Sequence, residues 1–105
     1  MRVKLILMPF SQTAILPINY NYLLTSLIYK IIKNSSEDYS QFLHDKGYRM
    51  GNSKKGFKLF TYSMLLSDNL MVKRERIVFQ EEVQWHVSSP VNDFMHHLIT
   101  GVGVR

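Results

Sequence analysis

Apolar and polar residues alternate at the start of the chain. Val3, Leu5 and Leu7 fall on one face of an extended backbone, with basic residues interleaved. A repeat of two residues is the period of a β-strand with one buried face. The pattern therefore predicts a first strand over residues 2–8.

Two helices are predicted to follow this strand. Between Pro17 and about Asn34 the apolar residues recur at the spacing of one helix face and form a buried stripe. Ser35 and Asp38 have the spacing of a capping box, so a second, short helix is expected to begin there and to stop at Gly47. The stripe of the first helix consists of Leu24, Leu27, Ile28 and Ile31.

Tyr29 and His44 are expected to point away from the core. Since a helix advances about 100° per residue, Tyr29 and Lys33 lie opposite the apolar stripe of the first helix. His44 lies off the apolar face of the second helix by the same argument. A tyrosine in an apolar helix is commonly a packing residue and a lone histidine is commonly structural, so this placement makes both side chains candidates for chemistry.

The second half of the chain is predicted to contain further strands. A polar, glycine-containing loop covers residues 48–56, and a strand then runs over 57–65 with Lys58 at the edge of the sheet. A hairpin or a pair of strands follows over 70–72 and 76–87, where apolar and polar residues alternate again.

A last helix is predicted to begin at Ser89-Pro90, run to about Thr100 and stop at Gly101. The order strand, helix, strand, strand, helix indicates an α+β fold, a ferredoxin-like βαββα unit with an antiparallel sheet whose fourth strand is missing or vestigial. Residues 1–105 are accordingly interpreted as a single truncated ferredoxin-like domain.

The charge of the chain restricts its partners. The 105 residues carry a formal net charge of +5, which favours an anionic partner such as RNA, DNA or an acidic protein. Arg49, Lys54 and Lys55 belong to the first basic cluster and are the candidate RNA-binding residues. A second cluster spans residues 73–76, and either cluster is as often a solvated loop as a binding surface.

Several classes of site are not expected. The absence of cysteine excludes disulfides, thiol catalysis and cysteine-bound zinc. His96 and His97 are adjacent on a helix and face different directions, and no metal-binding spacing or phosphate-binding loop is present, so neither a metal nor a cofactor is expected. The apolar run at the N-terminus ends at Pro9 and no stretch is long enough to span a bilayer, which favours a cytosolic protein with no membrane partner.

Tyr29, His44 and Lys58 are the residue types that RNA cleavage without a metal requires. The 2′-hydroxyl of RNA attacks the adjacent phosphate once its proton is removed, and histidine suits acid or base work near neutral pH. Tyrosine can orient or deprotonate the nucleophile. Lysine supplies a point charge to the transition state.

Four segments, in this order, resemble a known family. They are residues 1–7, 16–30, Phe-Leu-His-Asp-Lys-Gly-Tyr at 42–48, and Phe-Lys-Leu-Phe-Thr-Tyr-Ser at 57–63. Together they are similar to the N-terminal half of the CRISPR-associated, Cas6-type endoribonucleases, which cut CRISPR repeat RNA. The similarity covers about the first two-thirds of the chain strongly and the rest by the order of its elements.

The resemblance implies metal-independent cleavage that leaves a 2′,3′-cyclic phosphate, with Tyr29, His44 and Lys58 as the catalytic residues. Members of the family have two tandem ferredoxin-like domains, and the second carries much of the RNA surface. This sequence is expected to end before that domain and before the fourth strand of the first. The edge of the first strand would then be exposed, and we expect a homodimer or another partner to pair with it.

Two functions remain open on these grounds. The first is a shortened, anti-CRISPR-like mimic that takes the place of the endoribonuclease in a CRISPR effector complex, or binds the full-length enzyme. The second is a working endoribonuclease for CRISPR repeat RNA, completed by dimerisation or by a second subunit.

Overall fold

The computed structural model describes residues 1–49 and 56–103. The helices in these ranges are α1 (Asn21–Ser35), α2 (Glu37–Asp45) and α3 (Asn92–Gly103). In chain order the strands are β1 (Arg2–Leu7), β2 (Ala14–Pro17), β3 (Thr61–Tyr62), β4 (Met71–Lys73), β5 (Arg76–Phe79) and β6 (Val83–Ser88).

The main sheet has the strand order β1–β6–β3, and both pairings are antiparallel. Val83, Trp85 and Val87 alternate along β6 and are fully buried. They form one core cluster with the apolar residues of α1 and α3, so the helices cover one face of the sheet. This is the predicted α+β, ferredoxin-like arrangement, with β1 at the edge of the main sheet.

The residues between β3 and β6 contribute to a second sheet, which the sequence analysis did not predict. Its strand order is β2–β5–β4, again antiparallel, with Ala14 opposite Phe79 and Met71 opposite Val78. The predicted strand over 76–87 is therefore two strands that belong to different sheets. The predicted first helix also begins too early, because residues 14–17 pair with β5 and α1 starts only at Asn21.

The link between α1 and α2 corrects another prediction. Ser36, not Ser35, caps α2, since the amide of Tyr39 donates to its Oγ at 3.1 Å. Ser35 is instead the last residue of α1, and its Oγ lies 2.8 Å from Nδ1 of His97. The capping signal was thus located one residue too early.

The predicted strand over 57–65 is reduced to Thr61–Tyr62. Leu59 has a φ of 57°, in the left-handed region, and this turn interrupts the extended backbone. Lys58 therefore lies outside the sheet and not at the start of one of its faces.

Gly101 does not stop the last helix, since α3 continues to Gly103. It is buried in the contact between α3 and α1, where a Cβ atom would overlap the carbonyl oxygen of Ile31. A glycine at this position lets the two backbones approach closely. The helix signal was correct, but the role of the glycine is packing.

Candidate active site

Tyr29 of α1 and His44 of α2 lie side by side, although they are fifteen positions apart in the sequence. Their ring centroids are 5.3 Å apart, with the planes at 74°. The hydroxyl of Ser40 on α2 donates to the carbonyl oxygen of Tyr29 at 3.3 Å, which joins the two helices at this level. The sequence places both residues off the apolar stripes, and the packing of α1 on α2 brings them together.

The Tyr29 side chain is half-buried. Its ring also meets Phe60 edge-on, with a centroid distance of 6.3 Å. Burial raises the pKa of the Tyr29 hydroxyl above its usual value. At neutral pH Tyr29 is therefore a protonated hydrogen-bond donor and a poor base.

His44 is exposed and has one ring nitrogen occupied. Its Nδ1 lies 3.0 Å from Oδ1 of Asp45. The hydrogen bond from His44 is the main cause that lowers the pKa of the Asp45 carboxyl, so this group is ionised and can only accept. Nδ1 of His44 therefore donates, and in the tautomer that carries its hydrogen on Nδ1 the exposed Nε2 is the acceptor.

Lys58 caps a helix. Its ammonium donates to the carbonyl oxygens of Leu43 and His44, at 2.6 Å each. These carbonyls belong to the last turn of α2, where no further helical amide is available to them. A cation at this position also complements the negative end of the helix dipole. The structure thus joins Lys58 to the backbone of His44.

Tyr29 and His44 line an open surface pocket of about 310 Å³. Lys33 and Asp45, which the sequence analysis did not propose as site residues, line the same pocket. The spacing offered a signal for Lys33, because it follows Tyr29 by four residues and so shares its helix face. The remaining lining residues are Glu37, Ser40 and Gln41.

Of the three proposed RNA-binding residues, only Arg49 is among the described residues. Arg49 is exposed and follows Tyr48, whereas Lys54 and Lys55 lie outside the described residues. Within residues 1–49 and 56–103, no group of three or more potential metal ligands is arranged to hold an ion. No helix in that part of the chain is long and apolar enough to cross a membrane.

Comparisons with known proteins identify the relatives of this chain. Residues 15–104 match the family model Cas6_I-A, described as the N-terminal part of the CRISPR-associated protein Cas6. The CRISPR-associated endoribonuclease Cas6 1 of Methanocaldococcus jannaschii is 32% identical over 103 residues, which are 97% of this chain and 37% of that protein.

A solved structure of a CRISPR-associated protein Cas6 superimposes with a TM-score of 0.64 at 30% identity, and the match covers 97% of this chain and 39% of the other. This chain thus spans somewhat more than a third of the length of these relatives. The match over residues 15–104 includes Tyr29, His44 and Lys58. The chain belongs to the Cas6 family of CRISPR-associated proteins, and it corresponds to the N-terminal domain of that family.

Proposed function

We propose that Tyr29 and His44 form the centre of an endoribonuclease that cuts CRISPR repeat RNA without a metal ion. The observation that carries this proposal is the contact between the two rings, with Nδ1 of His44 held by Asp45 and no hydrogen-bond partner for Nε2 among the described residues. An imidazole that holds its hydrogen on Nδ1 has Nε2 available as a base, and the tyrosine hydroxyl beside it is a hydrogen-bond donor. The name of the Methanocaldococcus relative, an endoribonuclease, supports the same reaction.

The proposed reaction uses the imidazole as the base and the phenol as the acid. Nε2 of His44 takes the proton of a 2′-hydroxyl, and the resulting oxygen attacks the adjacent phosphorus. The bond from phosphorus to the 5′-oxygen breaks, and Tyr29 donates a proton to that leaving oxygen. The products are a 2′,3′-cyclic phosphate and a 5′-hydroxyl, and the proton on His44 returns through solvent to Tyr29.

The RNA cleft is completed by a second chain in this proposal. β1 is an edge strand, and in the described residues it pairs only with β6. An edge of this kind can accept a strand from a second copy or from a separate subunit. The expected place of action is the cytosol.

The direct test uses end-labelled CRISPR repeat RNAs in the presence of EDTA. We expect cleavage at one position, a cyclic phosphate on the upstream product, and no cleavage when the nucleotide before the cut carries a 2′-deoxyribose. His44→Ala should lose the activity. Cleavage of the 2′-deoxy substrate, or equal rates in the wild type and His44→Ala, would refute the proposal.

A second candidate is interference with CRISPR immunity by a chain that binds a CRISPR effector complex or a full-length relative. The engagement of Lys58 favours it, because this ammonium is bound to two backbone carbonyls and not directed to a substrate. The free edge of β1 would provide the contact with the partner.

Interference has its own test. Expression of the chain in cells with an active CRISPR system should reduce immunity. Expression of the His44→Ala variant should reduce immunity to the same extent, because binding does not need the base. Full immunity despite expression would exclude this candidate. Loss of interference in His44→Ala would indicate that the effect on immunity depends on RNA cleavage.

A further inference from the structure

A second open pocket borders the candidate active site on the side of Phe60. Its volume is about 350 Å³, at the small end of the range of small-molecule sites, about 300–1,000 Å³. The described lining residues are Asn21, Phe60, Thr61, Tyr62, Ser63 and Met64. The Phe60 ring also meets the Tyr29 ring edge-on. One ring contact therefore separates this pocket from the Tyr29–His44 pair.

Two half-buried aromatic rings, Phe60 and Tyr62, form part of the wall of this pocket. Phe60 stacks on the buried ring of Phe94, with the centroids 4.9 Å apart and the planes at 12°. The Tyr62 hydroxyl donates to the carbonyl oxygen of Asn21 at 2.9 Å and lies 2.6 Å from Oγ1 of Thr25. Because both rings are already held in place, a flat ligand can stack on them with little further loss of side-chain freedom.

The polar groups of the pocket are uncharged. Asn21 and Thr61 are exposed, and in residues 1–49 and 56–103 neither side chain has a hydrogen-bond partner. The amide offers both donors and an acceptor, and so does the hydroxyl. None of the described lining residues carries a charge that would bind a phosphate. Aromatic rings beside an amide and a hydroxyl suit a nucleobase, since single-stranded RNA is bound by stacking and by hydrogen bonds to base edges.

We propose that this pocket binds the nucleobase next to the scissile phosphate and that Asn21 reads the edge of that base. The inference rests on the proposed cleavage function, which locates the phosphate at Tyr29 and His44. The base of the adjoining nucleotide then extends past Phe60 into the pocket. Stacking holds the nucleotide there, and the amide of Asn21 discriminates between bases.

The first experiment measures the binding of CRISPR repeat RNAs that each lack one base. A 2′-deoxyribose at the cut keeps these RNAs intact, and an abasic residue occupies one position around the cut. We expect the Kd to rise by about five- to a hundredfold at one position next to the cut, the range for the loss of one stacked base. The other positions should change the Kd less than twofold. Equal Kd values for all positions would overturn the inference.

The second experiment tests the role of the amide with Asn21→Ala. Asn34→Ala is the matched control, because Asn34 is an exposed asparagine of the same helix that does not line the pocket. The wild type and Asn34→Ala should discriminate between the four bases at the sensitive position by at least fivefold in Kd. Asn21→Ala should lose this discrimination at an unchanged urea midpoint. Unchanged discrimination, or a lower midpoint with all four RNAs weakened equally, would overturn the assignment of Asn21.

Binding of uncharged nucleosides separates this inference from the proposed function. Adenosine, guanosine, cytidine and uridine carry no phosphate, so their titration depends neither on cleavage nor on the Tyr29–His44 pair. At least one of them should shift the amide NMR signals of residues 60–64, and equally so in His44→Ala. If the wild type does not cleave RNA, the cleavage proposal fails, and this titration alone decides whether the pocket binds a nucleobase. No shift at residues 60–64 with any nucleoside would overturn that part as well.

Discussion

The molecule contains two tyrosine–histidine pairs that use the same residue types in opposite ways. In the Tyr29–His44 pair, the histidine is exposed, and its Nε2 has no hydrogen-bond partner in residues 1–49 and 56–103. In the Tyr39–His97 pair, the rings stack at 4.5 Å and 29°, and Nδ1 of His97 lies 2.8 Å from Oγ of Ser35. The first pair is available to a ligand, whereas the second joins α1, α2 and α3.

The hydroxyls of the tyrosines differ in the same way. The Tyr39 hydroxyl lies 2.7 Å from the hydroxyl of Tyr48, and burial together with this hydrogen bond raises its pKa far above the usual value. Burial also raises the pKa of the Tyr29 hydroxyl, but this residue borders the open pocket. A tyrosine and a histidine in contact are therefore not sufficient for chemistry. The neighbours of the pair decide whether it reacts or only holds the fold together.

The largest expected difference between the pairs is in activity. His44→Ala removes the proposed general base, a group that typically contributes about 10²–10⁴-fold to the rate. It should leave the free energy of unfolding within about 0.5 kcal/mol of the wild type because the side chain is exposed. Single-turnover cleavage and urea unfolding measure the two effects. His97→Ala is the cross-control and should keep the wild-type rate. A similar loss of rate in both variants would contradict the assignment of activity to the Tyr29–His44 pair alone.

Tyr29→Phe should have the next largest effect. It keeps the ring against His44 but removes the hydroxyl that is proposed to protonate the leaving oxygen. When water supplies that proton instead, the loss is that of a hydrogen bond to a charged group, about 1.5–3 kcal/mol. We expect the cleavage rate to fall by about ten- to a hundredfold, since 1.36 kcal/mol corresponds to a factor of about ten. Tyr22→Phe, at an exposed tyrosine of the same helix, is the control. Equal rates in the two variants would show that the Tyr29 hydroxyl has no part in the reaction.

His97→Ala should affect stability and not activity. It removes the hydrogen bond to Ser35 and the stacking on Tyr39, so we expect the free energy of unfolding to fall by about 1–2 kcal/mol. His96→Ala provides the control, because His96 is the exposed neighbour on the same helix. Urea unfolding of both variants measures the difference. An unchanged midpoint in His97→Ala would mean that the second pair does not stabilise the fold.

The smallest effect concerns stability at alkaline pH. The folded chain holds the Tyr39 proton more tightly than the unfolded chain, so this contribution to stability is complete below about pH 10 and decreases as the pH rises further. Urea midpoints between pH 8 and pH 11, in steps of about half a unit, should therefore decline less steeply above about pH 10 in Tyr39→Phe than in the wild type. Tyr22→Phe should follow the wild-type curve. Parallel curves for Tyr39→Phe and the wild type would contradict the buried position of this hydroxyl.

Local patterns were sufficient for much of the fold. The helical spacing of Leu24 and Ile28 predicted α1, and the alternation around Trp85 predicted β6. The same spacing correctly placed His44 off the core, whereas Tyr29, which was expected there too, is half-buried and packs against the core cluster. These predictions depend on the rotation per residue, which is a property of the backbone and is independent of distant neighbours.

Other features depend on partners that are distant in the sequence. β2 was missed because residues 14–17 become a strand only by pairing with β5, about sixty positions later. The role of Lys58 could not be read from its position, because the carbonyls it caps lie in another element. The separate roles of His44 and His97 likewise result from contacts with Asp45 and Ser35.

The α+β order, the family resemblance and the residue types of the site can all be derived from the sequence alone. The contact between Tyr29 and His44, the capping of α2 by Lys58 and the position of Lys33 in the pocket depend on how the elements pack. Periodicity specifies which side of an element a residue lies on. Only packing specifies which donor, acceptor or ring it meets there, and these contacts determine whether the residue is free to react.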